Sequence, residues 1–280
     1  MTLPDTPRSR RAALLLLAGG TLATLAPIRL RAQEGSFDLG RSSGPIQIDA
    51  MDGIEWRRQE RVYIARGNAR VARGDLAVNA DKLSAFYKEG AGGKTEITRV
   101  IAEGNVKLSS PDQTVTGDTA TYDLGQGVLV VKGSDLRAVT REQTLTARDS
   151  LEYWEKQLVL VARGDAEVTE PGRRVKADLL TGYMRRHPDG GTELYQVEAE
   201  GHVQIWREDS YATASKAVYN LENEVAKLIG SVKITRGENQ LNGDTAEFDL
   251  RSGVSRILGG GGKPVQSLII PSESPTQTTP

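Results

Sequence analysis

The chain has 280 residues, of which 26% are charged and 38% are hydrophobic, and its formal net charge is −1. This composition is typical of a globular protein, and the lack of a basic excess gives no electrostatic case for nucleic-acid binding. The sequence contains no cysteine, which excludes disulfides and a lipid anchor attached to cysteine.

The first 32 residues differ from the rest of the chain and predict a secretory signal peptide. Three arginines precede an apolar run over 12–26, and small residues follow up to Ala32, where cleavage is expected. The run is shorter than a transmembrane helix needs, although an uncleaved anchor stays an alternative. The general secretory route is favoured over the twin-arginine route, because short clusters such as Arg10-Arg11 are ordinary in signal peptides.

After the signal peptide the chain repeats itself with an offset of 97 residues and no gaps. Residues 62–71 align with 159–168, and residues 100–106 align with 197–203. A chain of this kind is built by stacking similar units, and its function is expected to use their shared surface. We predict the following organisation: a flexible leader at 33–44, copy one at 48–144, copy two at 145–241, and a partial third copy with a closing strand at 241–271, all within a domain at 45–271.

Within each copy, apolar and polar residues alternate on both sides of recurring glycines. This period of two is typical of strands with one buried face. The glycines mark places where a strand bends, bulges or turns, and they are Gly67, Gly104, Gly133, Gly164, Gly201 and Gly230. Short turn signals between the strands favour antiparallel neighbours in a sandwich, jelly roll or barrel of about 16–20 strands. The Ser/Thr/Pro-rich tail at 272–280 is expected to be disordered.

The residue types that carry catalysis or bind metals form no convincing set. The two histidines, His187 and His202, lie in no His/Cys cluster, so we expect no metal site. The glycine-rich segments before Lys94 and Lys263 lack the residues of a phosphate-binding loop. Recurring aspartates favour turns over an acid–base pair, and they are Asp81, Asp118, Asp149, Asp178 and Asp244. We therefore predict no enzyme and no cofactor, which disfavours the alternative of an exported carbohydrate-active β-helix enzyme.

The apolar face of the predicted sheet is the remaining candidate site. The residues alone allow a closed core, which they favour, or a groove between two sheets that admits apolar chains. The candidate groove residues are Ile48, Val62, Ile64, Val71, Val78, Leu83, Phe86, Val100, Val106, Leu108, Val159, Val161, Val168, Val197, Val203, Ile205, Val232 and Ile234.

Five short stretches in order resemble the OstA-like, or LptA, family of lipopolysaccharide transport proteins. They are Pro45-Ile46-Gln47-Ile48, the Ala-Arg-Gly-Asn-Ala-Arg-Val of 65–71, the Val-Asn-Ala-Asp-Lys-Leu of 78–83, the Thr-Gly-Asp-Thr-Ala-Thr-Tyr of 116–122, and 265–271. The resemblance covers roughly residues 45 to 271. It implies an elongated all-β antiparallel β-jelly roll, or β-taco, here built from two tandem copies of the 97-residue unit.

The resemblance also implies a function. A family member is a non-catalytic periplasmic carrier that shields the acyl chains of lipopolysaccharide and bridges the inner and outer membranes. Its partners are an LptC-like inner-membrane protein, an LptD-like outer-membrane protein and further copies of itself, joined head to tail by edge strands. The expected edge residues are Ile46, Gln47, Ile48, Asp49, Val265, Gln266, Ser267, Leu268, Ile269 and Ile270. The alternative is an envelope scaffold that binds proteins by strand addition and carries no lipid.

Overall fold

The computed structural model describes residues 46–90, 95–187, 191–260 and 264–269, and every regular element in these ranges is a β-strand. The eighteen strands pair antiparallel in a single sheet, which confirms the predicted all-β class and strand number. Within the described ranges no helix is long and apolar enough to cross a membrane. The expected signal peptide, the leader at 33–44 and the tail at 272–280 lie outside the described residues.

The strands follow one another through short turns. The first nine are β1 (Gln47–Asp49), β2 (Gly53–Arg57), β3 (Val62–Arg73), β4 (Leu76–Glu89), β5 (Thr95–Ser109), β6 (Gln113–Asp123), β7 (Val128–Lys132), β8 (Arg137–Thr140) and β9 (Thr144–Thr146). The second nine are β10 (Ser150–Trp154), β11 (Val159–Glu170), β12 (Arg173–Arg186), β13 (Thr192–Arg207), β14 (Ser210–Asn220), β15 (Val225–Arg236), β16 (Asn239–Asp249), β17 (Val254–Leu258) and β18 (Gln266–Leu268).

Neighbouring strands form rows that are bent in the middle. Four rows consist of two short strands each, namely β1/β2, β7/β8, β9/β10 and β17/β18, so the eighteen strands make fourteen rows. In the long strands the register shifts at the same level, for example between Arg66 and Ala69 and between Glu200 and Val203. We call this level the fold line. It divides the sheet into two walls that face each other, and fourteen rows give a length of roughly 60 Å.

Glycine-containing pairs make the bend at the fold line. Gly104 and Asn105 both have positive φ, at 76° and 46°, as do the corresponding residues Gly201 and His202 at 75° and 47°. A Cβ at Gly104 would overlap the carboxylate of Asp81, so only glycine fits this position. Recurring glycines that the sequence singled out, such as Gly104 and Gly201, therefore lie in the bulges where each row passes from one wall to the other.

The inner faces of the two walls share one hydrophobic core. Wall 1 holds the part of each row that includes β2, β7, β10 and β17, and wall 2 holds the part that includes β1, β8, β9 and β18. Buried residues of both walls form a single cluster that runs from Ala65 on β3 to Phe248 on β16. Since each row repeats the one before, the core continues along the length of the sheet.

The duplication is visible in the strand boundaries. Strands β9 to β14 begin 97 residues after β1 to β6, and β15 begins 97 residues after β7. Inside the chain β9/β10 pairs with β7/β8, whereas the equivalent β1/β2 forms a free edge of the sheet. The fold is thus an open β-jelly roll of tandem units. At the junction between the two copies, β9/β10 is the equivalent of the free edge row β1/β2.

Candidate functional site

The inner face of wall 1 is apolar in successive lines of residues parallel to the fold line. The line nearest the fold line consists of alanine, valine and leucine side chains. In order across the sheet they are Ala65, Leu83, Ala102, Ala120, Val131, Leu151, Ala162, Leu180, Ala199, Ala217, Leu228 and Ala246. The second line, farther out, includes Tyr63, Val100, Tyr122, Leu129, Tyr153, Leu160, Val197, Tyr219 and Phe248. No charged side chain interrupts either line.

Wall 2 presents one continuous apolar line and a polar lip. The line joins Ile48 at one free edge to Leu241 and Ser267 at the other through Val71, Val78, Leu108, Val115, Ala138, Leu145, Val168, Val175, Ile205, Ala212 and Ile234. Beyond it, copy two places Arg173, Arg207 and Arg236 on the same face. The Arg173 guanidinium pairs with Glu170 at 2.8 Å.

The space between the walls is closed at the fold line and over much of the second line, where Tyr122, Leu129, Tyr153, Tyr219 and Phe248 are buried, and it opens beside Leu160 and Val197. Val106 and Val203, next to the fold line, are each 1% exposed. In the second line Leu160 is 37% exposed, beside Gly182, which has no side chain, and Val197 is half-buried. An apolar ligand would therefore contact wall 1 around Leu160 and Val197 rather than the residues at the fold line.

The register places thirteen of the predicted groove residues on the inner faces. They are Ile48, Val71, Val78, Leu83, Val100, Val106, Leu108, Val168, Val197, Val203, Ile205, Val232 and Ile234. Ile48 lies at the free edge and is exposed, whereas most of the others belong to the core cluster or pack against it. The candidate groove is built from this set together with residues that the sequence did not single out, above all Tyr63 and Leu160.

The other five predicted groove residues lie on the outer face of wall 1. They are Val62, Ile64, Phe86, Val159 and Val161, and each is adjacent in sequence to an inner-facing residue. The two that are most buried, Val62 and Ile64, stand outside the core cluster. Because they face away from the space between the walls, these five are not part of the candidate groove.

The predicted pairing segments lie on the two free edges of the sheet. Residues Ile46, Gln47, Ile48 and Asp49 are exposed on β1 and beside it, and Val265, Gln266, Ser267, Leu268 and Ile269 are exposed on β18 and beside it. Ile270 lies outside the described residues. The structure adds β2 and β17 to these edges, where Ile54, Trp56, Val254 and Leu258 are exposed apolar residues.

The recurring aspartates line the outside of the fold line, where their carboxylates bind local donors. Asn105 Nδ2 donates to Asp81 Oδ2 at 2.9 Å, and the backbone N–H of Ser134 donates to Asp118 Oδ2 at 2.8 Å. His202 Nδ1 lies 2.8 Å from Asp178 Oδ2. Among the described residues no group of three or more His, Cys, Asp or Glu side chains could hold a metal ion. Asp81, Asp118 and Asp178 thus lie within strands at the bend, rather than in the turns that the sequence favoured.

Burial shifts two ionisable groups that border the space between the walls. Burial, with the nearby Glu224 carboxylate, raises the pKa of Tyr219 on wall 1 to about 12, so its hydroxyl stays neutral. Burial also raises the pKa of Glu170 at the lip of wall 2. The nearby Arg173 guanidinium opposes this shift, but burial outweighs it. The inner face around Tyr219 is therefore neutral, and the charged groups Glu170 and Arg173 lie at the lip of wall 2.

Comparisons with known proteins agree with this architecture. Residues 47–149 and 146–254 match, one after the other, the family described as LptA/(LptD N-terminal domain) LPS transport protein. An uncharacterized protein of Rhizobium meliloti (strain 1021) is 32% identical over 122 residues, which are 42% of this chain and 62% of that protein. The chain thus spans less than two thirds of that relative's length.

LptH, described as the LptA homologous periplasmic component of the lipopolysaccharide transport device of Pseudomonas aeruginosa, is 20% identical, with a TM-score of 0.38 over 46% of this chain and 95% of that one. The two successive family matches together cover most of the sequence, one on each copy of the repeat. On this evidence, the chain belongs to the LptA/LptD N-terminal domain family of lipopolysaccharide transport proteins.

Proposed function

We propose that the protein is a non-catalytic periplasmic carrier that holds the acyl chains of lipopolysaccharide between its two walls. The observation that carries this proposal is the apolar inner face, which continues from Ile48 at one free edge to Leu241 beside the other. Each CH₂ group that leaves water gains about 0.8 kcal/mol, so a continuous apolar path lowers the barrier that water presents to a lipid with several chains.

The mouth of the groove suits an amphipathic ligand. Wall 1 presents the second-line residues Leu160 and Val197 to the open space, while the lip of wall 2 in copy two carries Arg173, Arg207 and Arg236. Acyl chains would pack on wall 1, and the polar part of the lipid would lie at the lip of wall 2. Guanidinium groups form charge-assisted hydrogen bonds with phosphate, which is consistent with an anionic lipid.

Bridging between the membranes would use the free edges. Within the described ranges each of the exposed rows β1/β2 and β17/β18 pairs with one neighbouring row, so its other side is a template for another strand. Head-to-tail pairing of two molecules would align their apolar lines into one longer path. In the same way an LptC-like partner at the inner membrane and an LptD-like partner at the outer membrane would extend the sheet. The signal peptide at 1–32 would direct export to the periplasm.

The test of this proposal is lipopolysaccharide binding by two variants that differ in the face they change. Leu160→Asp places a charge between the walls, and Val159→Asp places the same charge on the outer face of the same strand. We expect the affinity for fluorescently labelled lipopolysaccharide to fall about tenfold or more for Leu160→Asp, because the carboxylate would be desolvated against acyl chains. Val159→Asp should change it less than threefold, roughly 0.6 kcal/mol. Equal loss in both variants, or no binding by the original protein, would refute the proposal.

An envelope scaffold that carries no lipid stays the second candidate function. The observation in its favour is the exposed apolar residues at both free edges, since strand addition to a protein partner would use the same surface. The binding test separates the two functions, because a scaffold would associate through its edges and bind no lipopolysaccharide.

A further inference from the structure

The outer face of wall 2 in copy two carries a line of stacked side chains that the groove does not use. In register across β12, β13, β14 and β15 lie Arg174, Trp206, Tyr211 and Thr235. The Arg174 guanidinium carbon is 3.9 Å from the centre of the Trp206 ring, and the Trp206 and Tyr211 ring centres are 5.4 Å apart. We call these four residues the platform.

Copy one shows that the fold does not require the platform. The same four strands of copy one, in the same register, carry Ala77, Ser109, Thr114 and Val139. Inner positions of the two copies keep similar apolar residues, such as Val106 and Val203, each of which is almost fully buried. At these outer positions only copy two carries two aromatic rings and a guanidinium, so the fold of the unit does not depend on them there.

A shallow cavity lies against the platform at the lip of wall 2. Its volume is about 610 Å³, within the usual range of small-ligand sites. Three successive hairpin turns surround it, and they contribute Gly172, Asp209 and Gly237 together with polar side chains beside them. Arg236 Nε donates to Asp209 Oδ2 at 2.8 Å, and this hydrogen bond lowers the pKa of Asp209, so its carboxylate is ionised and held in place.

The lining chemistry fits a sugar better than a simple ion or an apolar chain. The Arg174 guanidinium covers one face of the Trp206 ring, so a sugar would contact the open parts of the Trp206 and Tyr211 rings, whose π-electrons attract the slightly positive C–H groups of a pyranose. Carboxylates such as those of Glu208 and Asp209 accept hydrogen bonds from hydroxyl groups, and guanidinium groups donate to them. Because both acidic and basic side chains line the cavity, no single sign of charge selects an ion.

We propose that the platform and its cavity bind the saccharide part of the lipid whose acyl chains lie between the walls. This inference rests on the proposed carrier function. In β13 the platform residue Trp206 is directly followed by the inner-lip residue Arg207, and in β14 Tyr211 directly follows Ser210. The platform residues and the residues at the mouth of the groove are therefore adjacent in sequence and lie on opposite faces of the same strands. Sugars attached to a lipid headgroup at the lip could fold over it onto the outer face of copy two.

The experiment measures binding of lipid-free core oligosaccharide, released from lipopolysaccharide by mild acid, to the purified protein by isothermal titration calorimetry. The variant Arg174→Ala/Trp206→Ser/Tyr211→Thr gives copy two the residues of copy one, which the same fold already accepts. We expect the oligosaccharide affinity to fall about tenfold or more, because two stacking rings and one guanidinium are lost. A matched control, Arg137→Ala, removes one exposed guanidinium from the outer face of copy one and should leave the affinity unchanged.

Two readouts separate this inference from the carrier proposal. An apolar probe without sugar, the fluorescent dye 1-N-phenylnaphthylamine, should bind the original protein and the triple variant equally. If the dye and lipopolysaccharide fail to bind while the oligosaccharide binds and is lost in the variant, the carrier proposal fails and the saccharide site stands. If the original protein binds no oligosaccharide at millimolar concentration, or the triple variant binds it as tightly, the saccharide site is refuted. Thermal unfolding of the triple variant should match that of the original protein.

Discussion

Trp56 and Tyr153 occupy equivalent positions in the two copies of the repeat, yet Trp56 is 51% exposed and Tyr153 is 5% exposed. The difference comes from the neighbouring strand. Tyr153 on β10 has β7 on one side and β11 on the other, whereas, among the described strands, Trp56 on β2 has β3 alone. The internal junction therefore shows what a partner strand would bury at the free edge.

The first prediction concerns self-association through that edge. Ile54→Glu places a charge at the free edge, at the position equivalent to the buried Leu151 of the internal junction. We expect the dissociation constant for self-association to rise about tenfold or more, since burying such a side chain is worth about 1.5–3 kcal/mol. Sedimentation velocity over a concentration series would measure it.

The control for the edge variant is Ile229→Glu. Ile229 is also an exposed isoleucine, but it lies on β15, inside the sheet, with paired strands on both sides. This variant should associate as the original protein does. Similar weakening in both variants would show that general surface charge, rather than the edge, controls association.

The second prediction concerns the fold line. Gly201→Ala should lower the free energy of unfolding by about 2–3 kcal/mol, because φ is +75° and the new Cβ would overlap the Asp178 carboxylate. In the double variant Gly201→Ala/Asp178→Ala the overlap disappears, so part of the loss should be recovered. Urea unfolding of the single and double variants measures the free energy lost in Gly201→Ala and the part recovered in the double variant. If Gly201→Ala alone has no effect, the bend does not need glycine here.

The third prediction concerns pH and Glu152 on the outer face of wall 1. Burial raises the pKa of this carboxyl, but hydrogen bonds from Arg163, Trp154 and Ser150 outweigh burial and lower the pKa overall. A lowered pKa in the folded state means that the ionised group stabilises the fold above its ordinary pKa. This stabilisation is lost as the pH falls below the ordinary glutamate pKa and through the lower folded-state pKa.

The variant Glu152→Gln tests this pH dependence. At pH 7 it should cost about 1–2 kcal/mol of unfolding free energy, since hydrogen bonds to an ionised group are replaced by weaker ones. The difference from the original protein should shrink toward pH 3. The comparison variant Glu103→Gln, which breaks an exposed pair with Lys82, should cost at most about 0.5 kcal/mol. A difference that is constant across the pH range would contradict the assignment.

The repeat and the period-two pattern were enough to predict the strands and their bends, because the Gly-containing pairs recur with the bulge geometry they require. The same pattern did not decide which face is inner in the run 62–65. All four of its residues are apolar, so the alternation is lost, and 159–162 repeats the ambiguity. Only the register shift at Gly67-Asn68, which a three-dimensional structure supplies, shows that Tyr63 and Ala65 face the core.

The platform could be recognised only once the outer-face residues of the two copies were compared with each other, separately from the inner-face residues. The platform residue Trp206 aligns with Ser109, a mismatch that a search for repeats passes over. Once the structure shows that Trp206 lies on the outer face, its difference from Ser109 stands out, because inner-face positions of the two copies carry similar residues. The role of β2 and β17 as edges was missed for a related reason, because their equivalents inside the chain are ordinary paired strands.

The most direct test of the central claim is site-specific photo-crosslinking to lipopolysaccharide in living cells. A photoreactive amino acid would replace Leu160 or Val197 on the inner face, and Val159 or Gln196 on the outer face, one at a time. If acyl chains pass between the walls, positions 160 and 197 crosslink to lipopolysaccharide and positions 159 and 196 do not. Crosslinking at the outer positions alone, or at none of the four while the protein stays folded and exported, would contradict the account.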